Sequence, residues 1–296
     1  MDGVLVVDKP AGMTSHDVVA VVRRAAGQRR VGHAGTLDPD ATGVLVVCLG
    51  RATKLVGYLQ ASAKTYDARM RLGVETTTLD ASGEITAERD ASMIDEVALC
   101  EALRSFVGPI EQVPPMVSAV KIGGERLYRK ARRGEVVERP PRAVRIHDIV
   151  LEDFEPGPRP EAAFLVTCSA GTYIRTLAAD VGERLGVGAH LVALRRLASG
   201  RFSLEDAVDL DKVRELGAQL RLAEALLTPA AAVADYPSVT VDAETAQAVS
   251  NGRPLDTTGM TGPVAVLDDT GRLLAMVEDK NGRARPLVVL AGSDDG

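Results

Sequence analysis

No apolar stretch in this 296-residue chain approaches the roughly 20 residues that cross a bilayer. The opening Met1-Asp2-Gly3-Val4 also lacks the charged and apolar regions of a secretory signal, so no membrane association and a cytoplasmic location are expected. Cysteine is scarce. Cys48, Cys100 and Cys168 are far apart and form no CxxC or Cys/His pattern, which argues against a disulfide framework and a zinc site and predicts reduced structural thiols. The four histidines, His16, His33, His147 and His190, are dispersed. There is no GxxxxGKS or GxxxxGKT loop, no GxGxxG after a strand and no HExxH, so neither a nucleotide nor a metal cofactor is indicated. Aromatic residues make up only 3% of the chain. Positive charge is in deficit too, at a formal net charge of -6, which is at odds with binding a phosphate backbone.

What is present qualifies that last exclusion. The 46% hydrophobic content can bury a large core, and the length suits one large domain or a main domain with a small appendage. The positive charge is clustered. Between Lys121 and Arg145 nine basic residues face three acidic ones, a local +6, and Arg23, Arg24, Arg29 and Arg30 form a second cluster. Such runs are either solvated faces or grips for phosphate, and two of them beside motif-rich segments keep nucleic acid in view.

The residue pattern predicts an α+β fold. Gly3 to Val7 reads as a strand, and Thr14-Ser15 then cap a helix carrying Val18, Val19, Val21 and Val22. Val44 to Leu49 is a β-branched run between glycines, as a buried strand requires. Lys64 to Leu72 alternates, with Tyr66, Ala68, Met70 and Leu72 on one face and Asp67, Arg69 and Arg71 on the other, as in a half-buried antiparallel strand. Ser92 can cap a helix with Ile94, Val97, Cys100 and Leu103 at helical spacing, stopped by Gly108-Pro109. Val144 to Phe154 and Ala163 to Ser169 return to strand character. Gly171-Thr172 then opens a helix that places Ile174, Leu177, Ala178, Val181 and Leu185 on one face and ends at Gly186. Ala207 to Ala232 suits one or two helices. Beyond Tyr236 short strands dominate, with Val264 to Leu267 and Leu273 to Val277 joined as a hairpin, and Ser293 to Gly296 form a polar tail. Without regular βαβ alternation, the expected core is a mixed, mainly antiparallel sheet over residues 1–232, followed by a small β-rich domain over 233–296.

Residues 31–54, VGHAGTLDPDATGVLVVCLGRATK, carry the first candidate chemistry. Pro39 restricts Asp38 to extended backbone, the glycines permit tight turns, and the strand that follows gives the loop a rigid base. Asp38 is therefore either a carboxylate held at a cleft or a turn cap before proline. Arg175 falls in the first turn of its predicted helix, where the macrodipole disfavours a cation, so an anion is expected beside it: a phosphate, or a carboxylate such as Asp38. Tyr66 and Tyr173 can stack on an extruded base and offer a hydroxyl, or be ordinary core tyrosines. A two-carboxylate glycosidase site pairing Asp38 with another acid also stays open.

The motifs GHAGTLDPDATG, VLVVDKPAGMTSHDVV, LGRATK, SAKTYDARMRLG, GPIEQVPPMVSAVKIGGERLYRKARRGE and SAGTYIRTLAADVGERLGVGAHLVALRRLASG resemble, in order, those of the TruB family of pseudouridine synthases, which is related to the dyskerin branch. The resemblance covers roughly the first 200 residues of the sequence, and the last part is similar to a PUA-like RNA-binding domain. It implies the pseudouridine synthase fold and isomerisation of uridine-55 in the T arm of tRNA, by base flipping and without a cofactor. It also implies Asp38 as nucleophile, Tyr66 stacked on the uracil and assisting proton removal at C5, and Arg175 paired with Asp38. His33, Tyr173, Leu197 and Lys9 would complete the substrate site. A mobile thumb at 121–145 would bring Arg126, Arg129, Lys130, Arg132 and Arg133 to the RNA backbone. The expected partner is the tRNA T stem-loop, met by a monomer that needs neither a protein partner nor a guide RNA. Two other readings are a tRNA-folding chaperone with isomerisation secondary, and a guide-dependent synthase of the dyskerin branch.

Overall fold

Residues 1–116, 121–122, 125–126, 133, 135 and 137–291 are described by a computed structural model. Arg129, Lys130 and Arg132 of the basic segment, and the tail from 292, lie outside the described residues.

The strands of the first part are β1 (Gly3–Lys9), β2 (Val31–His33), β3 (Thr42–Leu49), β4 (Lys64–Leu72), β5 (Val74–Thr76), β6 (Ile85–Glu88), β7 (Gly108–Gln112), β8 (Lys121–Ile122), β9 (Glu125–Arg126), β10 (Arg142–Glu155), β11 (Glu161–Cys168), β12 (Ala189–Ser199) and β13 (Phe202–Ser203). The main sheet runs β1-β3-β12-β4-β11-β10-β7, with β2 added to β3 and β13 to β12. Only the β12–β3 pairing is parallel, so the sheet is mixed and mainly antiparallel as expected.

Burial follows strand alternation. In β1 and β3, Val4, Val6, Val44 and Val46 enter one apolar cluster while Leu5, Val7, Leu45 and Val47 enter another. Both faces are covered, hence a continuous apolar run with no polar partner face. In β4 only one face is buried, by Tyr66, Ala68, Met70 and Leu72. The helix Ile174–Arg184 lays Ile174, Leu177, Ala178 and Val181 on that face. The predicted N-terminal helix is present as Ser15–Ala25, with Thr14 and Asp17 forming a reciprocal capping box.

Two local expectations are corrected, and one further strand appears. The helix predicted from Ser92 is Glu96–Arg104, capped by Asp95, whose carboxylate accepts from the Ala98 amide at 2.8 Å. The Ser92 amide instead donates to Asp90 in a turn. The later start leaves Leu99, Ala102 and Leu103 buried, while Val97 is exposed. Gly108-Pro109 does more than stop that helix: it opens β7, an edge strand where the missing proline N–H is tolerated. Finally, Ala189–Ser199 is the strand that joins the two halves of the sheet, although its Leu, Ala and Arg content suits a helix. Pairing on both edges overrides that propensity.

The second sheet consists of β14 (Ser238–Thr240), β15 (Leu255–Asp256), β16 (Val264–Leu267), β17 (Leu273–Lys280) and β18 (Arg283–Val289) in the order β14-β16-β17-β18-β15. The predicted hairpin is β16–β17. Asp268 at its turn accepts from the amides of Thr270 and Arg272. Among the described residues no helix is long and apolar enough to cross a membrane.

Candidate active site

Asp38 sits in the loop between β2 and β3, and that loop is clamped on both sides of it. Ser15 Oγ accepts from the Leu37 amide at 2.9 Å and lies 3.1 Å from the Leu37 carbonyl. On the other side the Pro39 carbonyl accepts from Lys9 Nζ at 2.8 Å and from the Gly12 amide at 3.0 Å. Lys9 is fully buried, and desolvation pulls its ammonium down to about 8 against the opposing pull of Asp40, Asp38 and Asp17. Its ammonium donates to the Pro10 and Pro39 carbonyls and so braces the loop that carries Asp38. Gly43, at φ +100°, lets β3 start against β12, since a Cβ there would collide with the Arg196 backbone.

Arg175 meets the anion that its helix position called for. Its Nε lies 3.1 Å from Asp38 Oδ2, and its Nη1 donates to Asp80 Oδ2 at 2.9 Å and to the Thr78 carbonyl at 3.3 Å. The guanidinium is thus held between two carboxylates. Asp38 keeps 42% of its side chain open to the adjoining space, but its surroundings desolvate it enough to raise its pKa above 3.8. Arg175 opposes that rise, and Asp80 adds to it. Asp80 itself is held below 3.8: burial pushes upward, but the hydroxyls of Ser82 and Thr78 and the charge of Arg175 outweigh it.

Sequence reasoning missed Asp80. Its only local sign is a turn, in which Oδ1 accepts from Thr78 Oγ1 and Ser82 Oγ, both at 2.6 Å. The tie to Arg175 spans 95 residues. Leu79 before it adopts φ +62°, and the Leu79 carbonyl accepts from the Leu191 amide at 3.0 Å, which pins this loop to β12.

Two cavities open on either side of the Asp38–Arg175 pair, and both are lined by Leu194. The larger, about 460 Å³, is also lined by Tyr66, Tyr173, Lys64, Arg142 and Arg196, so four cations face one carboxylate there. The smaller, about 300 Å³, is lined instead by Asp40, Thr78, Asp80 and Ser82. A cavity so biased toward positive charge suits a polyanion although the whole chain is acidic.

Tyr66 projects from β4 opposite Arg196 on β12 and Val166 on β11, and is 8% exposed. Burial raises its phenol above 10, with Arg196 pulling the other way. Tyr173 is the N-cap of the Arg175 helix and has no side-chain cap of its own. Its peptide is gripped by the buried Gln112, which accepts from the Tyr173 amide at 2.9 Å and donates to its carbonyl at 3.2 Å.

The structure therefore brings Asp38, Tyr66, Tyr173 and Arg175 to one cavity. Leu197 does not line it. The β12 register shifts between Arg196 and Ala198, so Leu197 is the bulged residue, while Leu194 lines both cavities. His33 lies on β2, in edge contact with His16 at a ring separation of 5.2 Å, and lines neither cavity. Arg133 is exposed and paired with Glu135 at 2.7 Å, and Arg126 lies on β9. Among the described residues no three His, Cys, Asp or Glu side chains converge as metal ligands.

Residues 23–174 match the family model described as TruB family pseudouridylate synthase (N terminal domain). Residues 175–231 match tRNA pseudouridylate synthase B C-terminal domain, and residues 236–291 match tRNA Pseudouridine synthase II, C terminal. The chain is 50% identical over 297 residues to the tRNA pseudouridine synthase B of Thermobifida fusca, covering 99% of each. It is 54% identical over 252 residues to that of Symbiobacterium thermophilum, covering 85% of this chain and 82% of the relative. Among solved structures, a chain of a Cbf5–Nop10–Gar1 complex superposes with a TM-score of 0.77 at 28% identity, over 99% of this chain and 86% of that one.

Proposed function

The chain belongs to the TruB family of pseudouridylate synthases, and from this premise we propose that it converts uridine to pseudouridine in transfer RNA, at uridine-55 of the T arm, with Asp38 as the nucleophile. The observation that carries the reading is the Asp38–Arg175 pair at the mouth of a cation-rich cavity with Tyr66 and Tyr173 beside it. Arg175 favours the ionised carboxylate, the form able to attack.

The reaction breaks the C1′–N1 bond, turns the base and joins C1′ to C5. The proton lost from C5 is matched by one gained at N1, so no co-substrate is consumed. The uridine has to leave its stack, at about a few kcal/mol, and loop nucleotides leave most easily. The cavity, with two tyrosines and basic side chains, offers a flipped base apolar and stacking surfaces and its phosphates positive charge.

On this reading residues 1–232 are the catalytic part and 233–296 a PUA-like RNA-binding part, and residues 121–145 close over the T loop with Arg126, Arg129, Lys130, Arg132 and Arg133 toward phosphate. The protein works in the cytoplasm as a single chain, without a guide RNA. The test is incubation of the purified chain with a naked T-arm stem-loop, followed by pseudouridine mapping. The wild type is expected to modify one uridine and Asp38→Asn none; conversion by the Asn variant would remove the assignment of Asp38.

A further inference from the structure

Arg196 is 1% exposed and sits beneath the cavity floor. Its Nε donates to the Val44 carbonyl at 2.7 Å, Nη2 to Gly35 at 3.2 Å and Nη1 to Thr36 at 3.4 Å. The last two carbonyls belong to the loop that carries Asp38. Among the described residues no carboxylate pairs with it, although a guanidinium stays charged at any ordinary pH. A second buried cation, Lys64, stands near it. Lys64 is 6% exposed, bonded among the described residues to the Gln60 and Ser62 carbonyls, and drawn down to about 8 by burial and by Arg196. Two adjacent buried cations without a counter-ion are unfavourable unless something nearby takes up negative charge.

The cross-strand partner of Arg196 is Tyr66. A guanidinium has five N–H donors in a rigid fork, and three carbonyls leave donors over for the phenol oxygen within its reach. We propose that Arg196 is the positioning residue of the tyrosine side of the site, holding Tyr66 and the Asp38 loop on one buried fork and favouring negative charge on the phenol oxygen. This rests on the proposed isomerisation, in which a base must take the C5 proton. Tyr66 as phenolate accepts it, the C5–H electron pair closes the C5–C6 double bond, the C6–N1 π pair moves onto N1, which takes a proton from solvent, and the phenol returns the C5 proton to solvent.

The groups facing the Tyr66 phenol set how much phenolate is present. Burial opposes it, and so do Cys168 on β11 and Asp38 on its loop; Arg196 on β12 favours it. Lys64 on β4, Arg142 on β10 and Arg175 on its helix line the same cavity and add positive charge. Phenolate is the minor form at rest, and Arg196 determines how minor.

The test follows the Tyr66 phenol directly, by NMR of protein carrying ring-labelled tyrosine, with the Tyr66 signal among the five identified by Tyr66→Phe. In Arg196→Gln the Tyr66 titration is expected to move to higher pH. Single-turnover conversion of the T-arm stem-loop should fall about tenfold or more, with binding changed less than about twofold. In a Tyr66→Phe background the same substitution should slow the reaction much less, because Arg196 acts through Tyr66. Should the Gln variant not fold, Arg196→Lys carries the test: its shorter ammonium cannot reach the phenol and the loop carbonyls together, so the titration moves the same way by less. An unmoved Tyr66 titration in the folded variant overturns the proposal, as does an equal loss of rate with and without Tyr66. Failure of the proposed isomerisation itself would look different, as a wild type that forms no pseudouridine while Tyr66 still responds to Arg196.

Discussion

At Asp38 desolvation and pairing pull in opposite directions, and desolvation prevails, raising the carboxyl above 3.8. A carboxyl that is harder to ionise in the folded state than in the unfolded one favours folding while protonated. That contribution is lost as pH rises through the folded value. The ionised Asp38 carboxylate is therefore a liability to stability at neutral pH, where the proposed chemistry needs it. Asp38→Asn is expected to melt at a higher temperature than the wild type at neutral pH, with the difference closing as pH falls below the ordinary carboxylate range; a lower melting temperature at neutral pH would contradict this. Asp80 raises Asp38 by like charge and holds the far side of Arg175. In Asp80→Asn the acid limb of the pH–rate profile should move to lower pH, because one source of the upward shift is gone, while the plateau rate falls about tenfold or more as Arg175 loses its second anchor. An acid limb that stays in place would show that Asp80 does not act on Asp38 through charge.

The elements that hold these residues differ in how far they could be read from sequence. β4 was legible because an alternating face has no other use, and Tyr66 fell on its buried side. The Thr14 cap and the first-turn position of Arg175 were legible for local reasons as well, since both depend on groups within a few residues. β12 was not, because its Leu, Ala and Arg residues suit a helix and its strand state comes from β3 and β4, more than a hundred positions away. With β12 unseen, Arg196 had no place in the site, and Leu194 and Leu197 could not be told apart across a bulge that local pattern does not announce. Gln112 was hidden for the same reason, 61 residues from the peptide it grips. Its removal takes the acceptor from the Tyr173 amide and leaves the Tyr173 carbonyl with the Leu177 amide, at the partly buried start of the Arg175 helix. Gln112→Ala is expected to lower stability by about 1–3 kcal/mol in denaturant unfolding. It should also weaken the reaction more than it weakens RNA binding, since the displaced helix start carries both Tyr173 and Arg175; an equal loss in both would place Gln112 in binding alone.

Across the whole molecule the two sheets share one buried cluster, beside clusters that belong to each alone. Ala265, Leu273, Met276 and Leu290 of the C-terminal part share one buried cluster with Val4, Val6, Val44 and Val46 of β1 and β3. The contact is reinforced by polar and aromatic pairs: Tyr236 Oη donates to the Tyr58 carbonyl at 3.0 Å, the two rings meet edge to face, and Lys54 Nζ donates to the Val289 carbonyl at 2.7 Å. β3 leads directly out of the Asp38 loop, and its Val44 carbonyl is one of the three that Arg196 grips. Packing from the second sheet therefore reaches the Asp38 loop through a single strand. Met276 is fully buried at this junction, so Met276→Ala should cost about 2–5 kcal/mol through lost burial and the cavity left behind. The protection of β1 and β3 amides against hydrogen exchange should fall along with that of β17, because one cluster supports all three strands. Loss of protection confined to the C-terminal sheet would mean that the two sheets open independently, and that the Asp38 loop does not depend on the appended sheet for its rigidity.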